Sequence, residues 1–193
     1  MAWVSTSPLV KTYTLEEFWE LPEPPDHSKL ELIAGVLYMT PTPGYLHNHA
    51  AAKLNRLLSD YLTKTGDRGT LYFPRAGIIR GPNSWLEPGL FYLAAETEAR
   101  LDPKYPNYMT TADLVIEIIS PASAIYDRNT KADTYAALGV KELWLVDEAS
   151  GIIEVRILKG SQYALGLVFE RDDHIRSVVL SGIEFRVGSV FGD

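Results

Sequence analysis

The most constraining feature of this chain is one acid in an otherwise apolar run. Leu114–Ile119 reads LVIEII, and Glu117 is its only polar side chain. A short run rich in β-branched residues, with no polar alternation, predicts a strand covered on both faces. A carboxylate there is costly unless it is paired, protonated or bound to a metal. The run stops at Ser120-Pro121, because proline cannot donate to a continuing ladder. A helical pattern from about Arg128 to Leu138 follows, closed by Gly139, and Glu142–Val146 (ELWLV) is a second apolar strand. Strand, helix and strand in this order make a βαβ unit with parallel strands and a right-handed crossover. The fold class expected is therefore α/β, with a mixed sheet flanked by helices.

The rest of the chain supplies the flanks. Thr14-Leu15-Glu16-Glu17 is a capping box ahead of a short helix to about Leu21, which Pro22, Pro24 and Pro25 end. Residues before it read as an irregular lead-in. Lys29–Met39 reads as a hairpin turning at Ala34-Gly35. Leu54, Leu57, Leu58, Tyr61 and Leu62 form one apolar stripe of a helix over about residues 46–63, with Gly66 as its stop. Leu71–Arg80 and Leu90–Leu93 read as strands joined by a turn at residues 81–83, and residues 94–108 as a loop with at most a helical turn. From Gly151 onward, Ile152–Leu158, Tyr163–Phe169 and Ile175–Leu180 read as an antiparallel extension of the sheet. A chain of 193 residues with one such sheet is expected to form a single domain over residues 1–193.

Composition narrows the chemistry. With no cysteine, disulfides, thiolate metal sites and cysteine nucleophiles are excluded. No apolar run approaches the ~18 residues needed to span a bilayer, and no secretory signal pattern is present, so a cytoplasmic location is expected. A net charge of −7 argues against a generally phosphate-binding surface, although a local basic groove or a metal in an acidic pocket could still take nucleic acid.

Glu117 has two readings: a buried glutamate satisfied by a neighbour, or a ligand or general base for a hard cation such as Mg²⁺, which takes carboxylates and backbone carbonyls. Lys131, four residues after Asp127, either pairs with it at the surface or points at the end of the strand, where it could orient a water or stabilise developing charge. Glu31, between Leu30 and Leu32, faces either solvent or the pocket. His47 and His49, two apart on a helix, lie on different faces and cannot chelate one ion, though one could contact substrate. No HExxH, GxSxG, Walker A or GxGxxG motif is present.

Together, YTLEEFWELP at 13–22, LELIAGVLYM at 30–39, DLVIEIISPAS at 113–123 and DRNTKADTYAALGVKELWLVD at 127–147 resemble a bacterial family with the restriction-endonuclease-like, PD-(D/E)xK nuclease fold. The resemblance covers nearly the whole chain. It implies a metal-dependent nuclease acting on DNA or RNA, with Glu31, Glu117 and Lys131 catalytic. Mg²⁺ or Mn²⁺ would be held by Glu117, the Ile118 carbonyl and Glu87, and His47 and Asp127 would face substrate. The family's usual lysine position falls on Ile119 here, and the pattern moves the lysine to the following helix, at Lys131. The family's Pro-Asp pair is Pro88-Gly89 in this chain, so the usual metal-binding aspartate is missing. Weakened or absent activity, leaving a non-catalytic nucleic-acid-binding or assembly module, is the alternative this departure raises. Proteins of this fold often pair, and the apolar C-terminal strands could supply a homodimer interface.

Overall fold

The computed structural model describes residues 11–102, 104, 108–120 and 123–192. The N-terminal part of the expected lead-in and the strand-ending Pro121 lie outside these residues. Helix α1 (Leu15–Trp19) starts on the expected capping box: the Glu17 N–H donates to Thr14 Oγ1 at 3.2 Å, and the Thr14 N–H to Glu17 Oε2 at 3.0 Å. Strands β1 (Lys29–Ile33) and β2 (Val36–Thr40) form the expected hairpin. Its two-residue turn places Ala34 and Gly35 at φ of 50° and 82°, the left-handed pair that a tight hairpin turn requires. The N–H groups of these two residues are held by Ser84 Oγ and the Asn83 carbonyl.

Helix α2 (Tyr45–Thr65) buries Ala50, Leu54 and Leu58 and ends on Gly66 in the left-handed conformation, as expected. The single strand expected over residues 71–80 is two. Strand β3 (Thr70–Tyr72) belongs to the large sheet, and β4 (Ile78–Ile79) to a small sheet with β1, β2 and β5 (Trp85–Leu86). Pro74 cannot donate, Arg75 turns at φ 50°, and Gly77 lies so close beneath the Trp85 ring that no Cβ fits there. Strand β6 (Leu90–Leu93) and helix α3 (Ala95–Glu98) precede the central strand β7 (Leu114–Ile119).

The crossover is helical from residue 124 to 137. It runs as α4 (Ala124–Tyr126), a π-helical turn (Asp127–Lys131) and α5 (Ala132–Ala137), and so begins earlier than the expected residue 128. Strand β8 (Glu142–Asp147) pairs parallel to β7, placing Ile116 beside Trp144 and Glu117 beside Leu145. Strands β9 (Ile152–Lys159), β10 (Gln162–Tyr163) and β11 (Leu167–Phe169) continue the sheet antiparallel. The expected 163–169 strand is therefore broken, at a point where Gly166 packs directly against the Glu154 side chain.

The last expected strand, 175–180, is also corrected. Only β12 (His174–Ile175) is extended, and it pairs with β13 (Phe185–Arg186) away from the main sheet, before α6 (Gly188–Phe191). The cause is Glu142, fully buried, whose Oε2 accepts from the N–H groups of Val178 and Val179 at 2.8 and 3.0 Å and from Ser177 Oγ at 2.9 Å. A side-chain carboxylate thus replaces the strand partner that residues 177–179 would otherwise need.

The main sheet carries a core on each face. Leu114, Ile116 and Ile118 point with Trp144 toward α2 and the C-terminal elements, while Val115 and Ile119 point with Leu143 and Leu145 toward Ala132 and Tyr135. The two-residue period of the strand puts Glu117 on the second face, between Val115 and Ile119. Among the described residues, no helix is long and apolar enough to cross a membrane.

Candidate active site

Three separate elements bring side chains to one buried point. Glu117 comes from the middle of β7. Glu31 comes from β1, on the same strand face as Ile33, which packs into the core beside Tyr135. Asp127 and Lys131 come from the π-helical turn, a rare wide turn that often marks functional positions in helices. All four are buried: Lys131 and Glu31 are each 1% exposed, and Glu117 and Asp127 4%. Of the two readings of Lys131, the surface one is overturned.

Lys131 Nζ is the hub. It lies 2.5 Å from Glu117 Oε1, 3.2 Å from Glu31 Oε1 and 3.4 Å from Asp127 Oδ1. Tyr135, one turn further along the helix, donates its hydroxyl to Glu117 Oε1 at 2.5 Å. Lys29 adds a second ammonium 3.3 Å from Glu31 Oε2, and the Glu87 N–H donates to Glu31 Oε1 at 2.7 Å. Neither Tyr135 nor Lys29 was among the sequence candidates. Tyr135 carried a usable signal, since it stands four residues after Lys131 on the same helix face. Lys29 carried a similar one, standing two residues before Glu31 on the same strand face.

Charge states follow from this geometry. Burial alone would raise the pKa of Glu31, but Lys131, Lys29 and the Glu87 N–H outweigh it and hold the carboxyl below its ordinary value. For Glu117 burial wins, aided by Asp127, and its pKa is raised despite Lys131. Burial works against the charged form of Lys131, yet Glu117, Glu31 and Asp127 push its pKa well above the usual lysine value. Burial, followed by Glu117, raises the Tyr135 hydroxyl far above its ordinary value, so it stays protonated and donates to Glu117.

The cluster forms the floor of a cavity of about 270 Å³. Glu87, Gly89, Ile118, Asp127 and His47 also line it, so every residue assigned a role from the sequence faces one space. His47 Nδ1 is buried with no hydrogen-bond partner, and burial holds this imidazole's pKa below the ordinary histidine value. His49 does not line the cavity. Gly89 precedes Leu90, which pairs with Ile116, and so stands in register beside Glu117 without a side chain. The Glu87 carboxylate accepts from the Trp85 indole N–H at 3.0 Å.

The comparisons with known proteins agree with this architecture. A family model described as "Uma2: Putative restriction endonuclease" matches residues 15–188. Among solved structures, the chain is similar to a protein from Anabaena variabilis described as a "putative nuclease belonging to DUF820". The two share 18% identity over 93% of this chain and 97% of that one, with a TM-score of 0.73, a likeness that shows the fold. No curated protein matches.

Proposed function

The chain belongs to the Uma2 restriction-endonuclease-like family, and from that premise we propose that the cavity around Lys131 engages nucleic acid and hydrolyses its phosphodiester bonds. The observation that carries this reading is the convergence of Glu31, Glu117 and Lys131, from a hairpin, a strand and a helix, on one ammonium at a cavity floor. Lys131 stays cationic and supplies positive charge to phosphate oxygens, where charge grows in the transition state. Glu117, with its raised pKa, is the group suited to accept a proton from an attacking water. Glu31 is a positioning residue that fixes Lys131, and His47 and Asp127 face the substrate from the cavity wall.

In this fold Mg²⁺ or Mn²⁺ would polarise the phosphate and lower the pKa of a bound water. The residues present fit such an ion poorly. The Lys131 ammonium already sits within 3.4 Å of three carboxylates, in the position a cation would take. Glu87 is engaged by Trp85, and Gly89 offers no donor. Among the described residues, no three histidine or acidic side chains are arranged to hold a metal. We infer weak metal affinity and correspondingly weak hydrolysis. The same observations favour a second reading, a non-catalytic nucleic-acid-binding or assembly module.

Calorimetric titration with Mn²⁺, together with cleavage assays on DNA and RNA, separates the two. Gly89→Asp should create or tighten one Mn²⁺ site. Its Cβ would lie 3.1 Å from the Ile116 carbonyl oxygen, which requires a shift of a few tenths of an ångström. Any cleavage should vanish in Lys131→Ala. Cleavage that survives Lys131→Ala would overturn the role given to Lys131, and its absence even in Gly89→Asp argues for the second reading.

A further inference from the structure

A second cavity, of about 260 Å³, adjoins the first, and Lys29 and Glu87 line both. Lys29 Nζ holds this shared wall in place by donating to the Glu87 carbonyl at 2.7 Å while pairing with Glu31. The loop after β3 joins the two cavities at their rims, with Pro74 lining the first and Arg75 the second.

The second cavity has aromatic walls, Phe18, Trp19 and Trp85. Trp19 is 44% exposed, a large apolar surface to leave in water. Tyr108 stacks on it with centroids 5.3 Å apart and planes 16° apart, and Trp85 meets both rings edge-on. Trp85 is itself fixed, lying over Gly77 with its indole N–H on Glu87. Trp19 thus lines the cavity with one side stacked on Tyr108 and nearly half of its surface exposed.

We propose that this cavity holds an unstacked nucleobase against Trp19, so that the nucleic acid taken by the adjoining site is single-stranded. The inference rests on the reading that the first cavity engages nucleic acid. Three observations carry it. The volume falls below the ~300–1,000 Å³ of drug-sized ligand sites, leaving room for one base and excluding a duplex. Lys29 lines both cavities, placing a cation between Trp19 and the Lys131 cluster. The net charge of −7 makes broad phosphate attraction weak, so stacking on an aromatic ring has to supply much of the affinity.

The test is fluorescence anisotropy of a labelled oligothymidylate, an oligouridylate of equal length and a duplex, with the full chain and no added divalent ion. The single strands should bind more tightly than the duplex and quench tryptophan emission. Trp19→Ala should weaken single-strand binding by about tenfold or more, given the strength of base stacking, while Trp19→Phe keeps most of it. An unchanged melting temperature for both variants confirms that they fold. The proposal is overturned if the duplex binds as well as the single strands, if Trp19→Ala binds normally, or if no single strand binds. Duplex binding that Lys29→Ala weakens and Trp19→Ala does not would overturn the base pocket and leave the first-cavity reading standing.

Discussion

Replacing Lys131 by methionine keeps the side chain's bulk and removes its charge, so the energetic consequence follows from the surrounding carboxylates. The ammonium contacts Glu117 at 2.5 Å, Glu31 at 3.2 Å and Asp127 at 3.4 Å, all buried. Breaking a buried ion pair by deleting one partner costs about 3–5 kcal/mol. Protonation limits that cost. Glu117 already has a raised pKa, and without Lys131 burial would drive it higher, so it would take up a proton. Neutralising a glutamate of ordinary pKa 4.5 costs about 3.4 kcal/mol at about pH 7, at ~1.36 kcal/mol per unit, and about 0.7 kcal/mol at about pH 5. In the native protein, Glu31's lowered pKa contributes stability that is present above its ordinary value and lost as the pH falls through the folded value, while Glu117's raised pKa works the other way and its contribution is lost as the pH rises, a loss that removing Lys131 carries to higher pH. In the variant, the folded state binds an extra proton, so stability declines as the pH rises. The gap between the two proteins should therefore widen with pH, from about 1 kcal/mol or less near pH 5 toward an upper limit of about 3 kcal/mol near pH 7. Urea unfolding followed by tryptophan fluorescence measures it. A gap below about 1 kcal/mol near pH 7, or one that does not change with pH, would refute the reasoning that Lys131 compensates buried carboxylates.

Two further predictions concern the scaffold. Glu142→Ala leaves the Trp144 indole and the Val178 N–H without their acceptor and removes one of the two acceptors of the Val179 N–H, and should destabilise the chain by about 1–3 kcal/mol. Amide hydrogen exchange should accelerate first at residues 178 and 179, and unchanged exchange there would show that the carboxylate does not hold the segment. Gly77→Ala places a methyl group within the Trp85 ring and should cost about 1–3 kcal/mol while displacing that ring from Glu87. A wild-type tryptophan emission spectrum and melting temperature in this variant would contradict the close approach.

The parts of this molecule legible from sequence are those carried by strong periodicity or strong punctuation. The apolar runs of β7 and β8, the stripe of α2 and the capping box of α1 each fix an element by local physics, and the structure has all of them. Glu117 was visible because an acid in such a run has few permitted fates. Other features depend on contacts distant in sequence. That residues 177–180 are not a strand follows from Glu142, 35 residues away from Ser177, supplying the acceptor. That Trp19, Trp85 and Tyr108 form one platform follows from the packing of α1 on the small sheet. The break at Pro74 was readable, since a proline inside an apparent strand argues against its continuing.

The lysine's placement on the crossover helix has a mechanical consequence. In a strand, an acid and a lysine two residues apart are held at a separation set by the backbone repeat, about 6.6 Å of rise. Here the acid rides on the sheet and the lysine on a neighbouring layer, so their spacing is a tertiary distance, set by how Ala132 and Tyr135 pack on Val115 and Leu145. A slide of that helix by even one ångström would move the ammonium relative to Glu117 without disturbing a single hydrogen bond of the sheet. The charge at the cavity floor is thus tuned by core packing, and substitutions in that apolar layer can reset it.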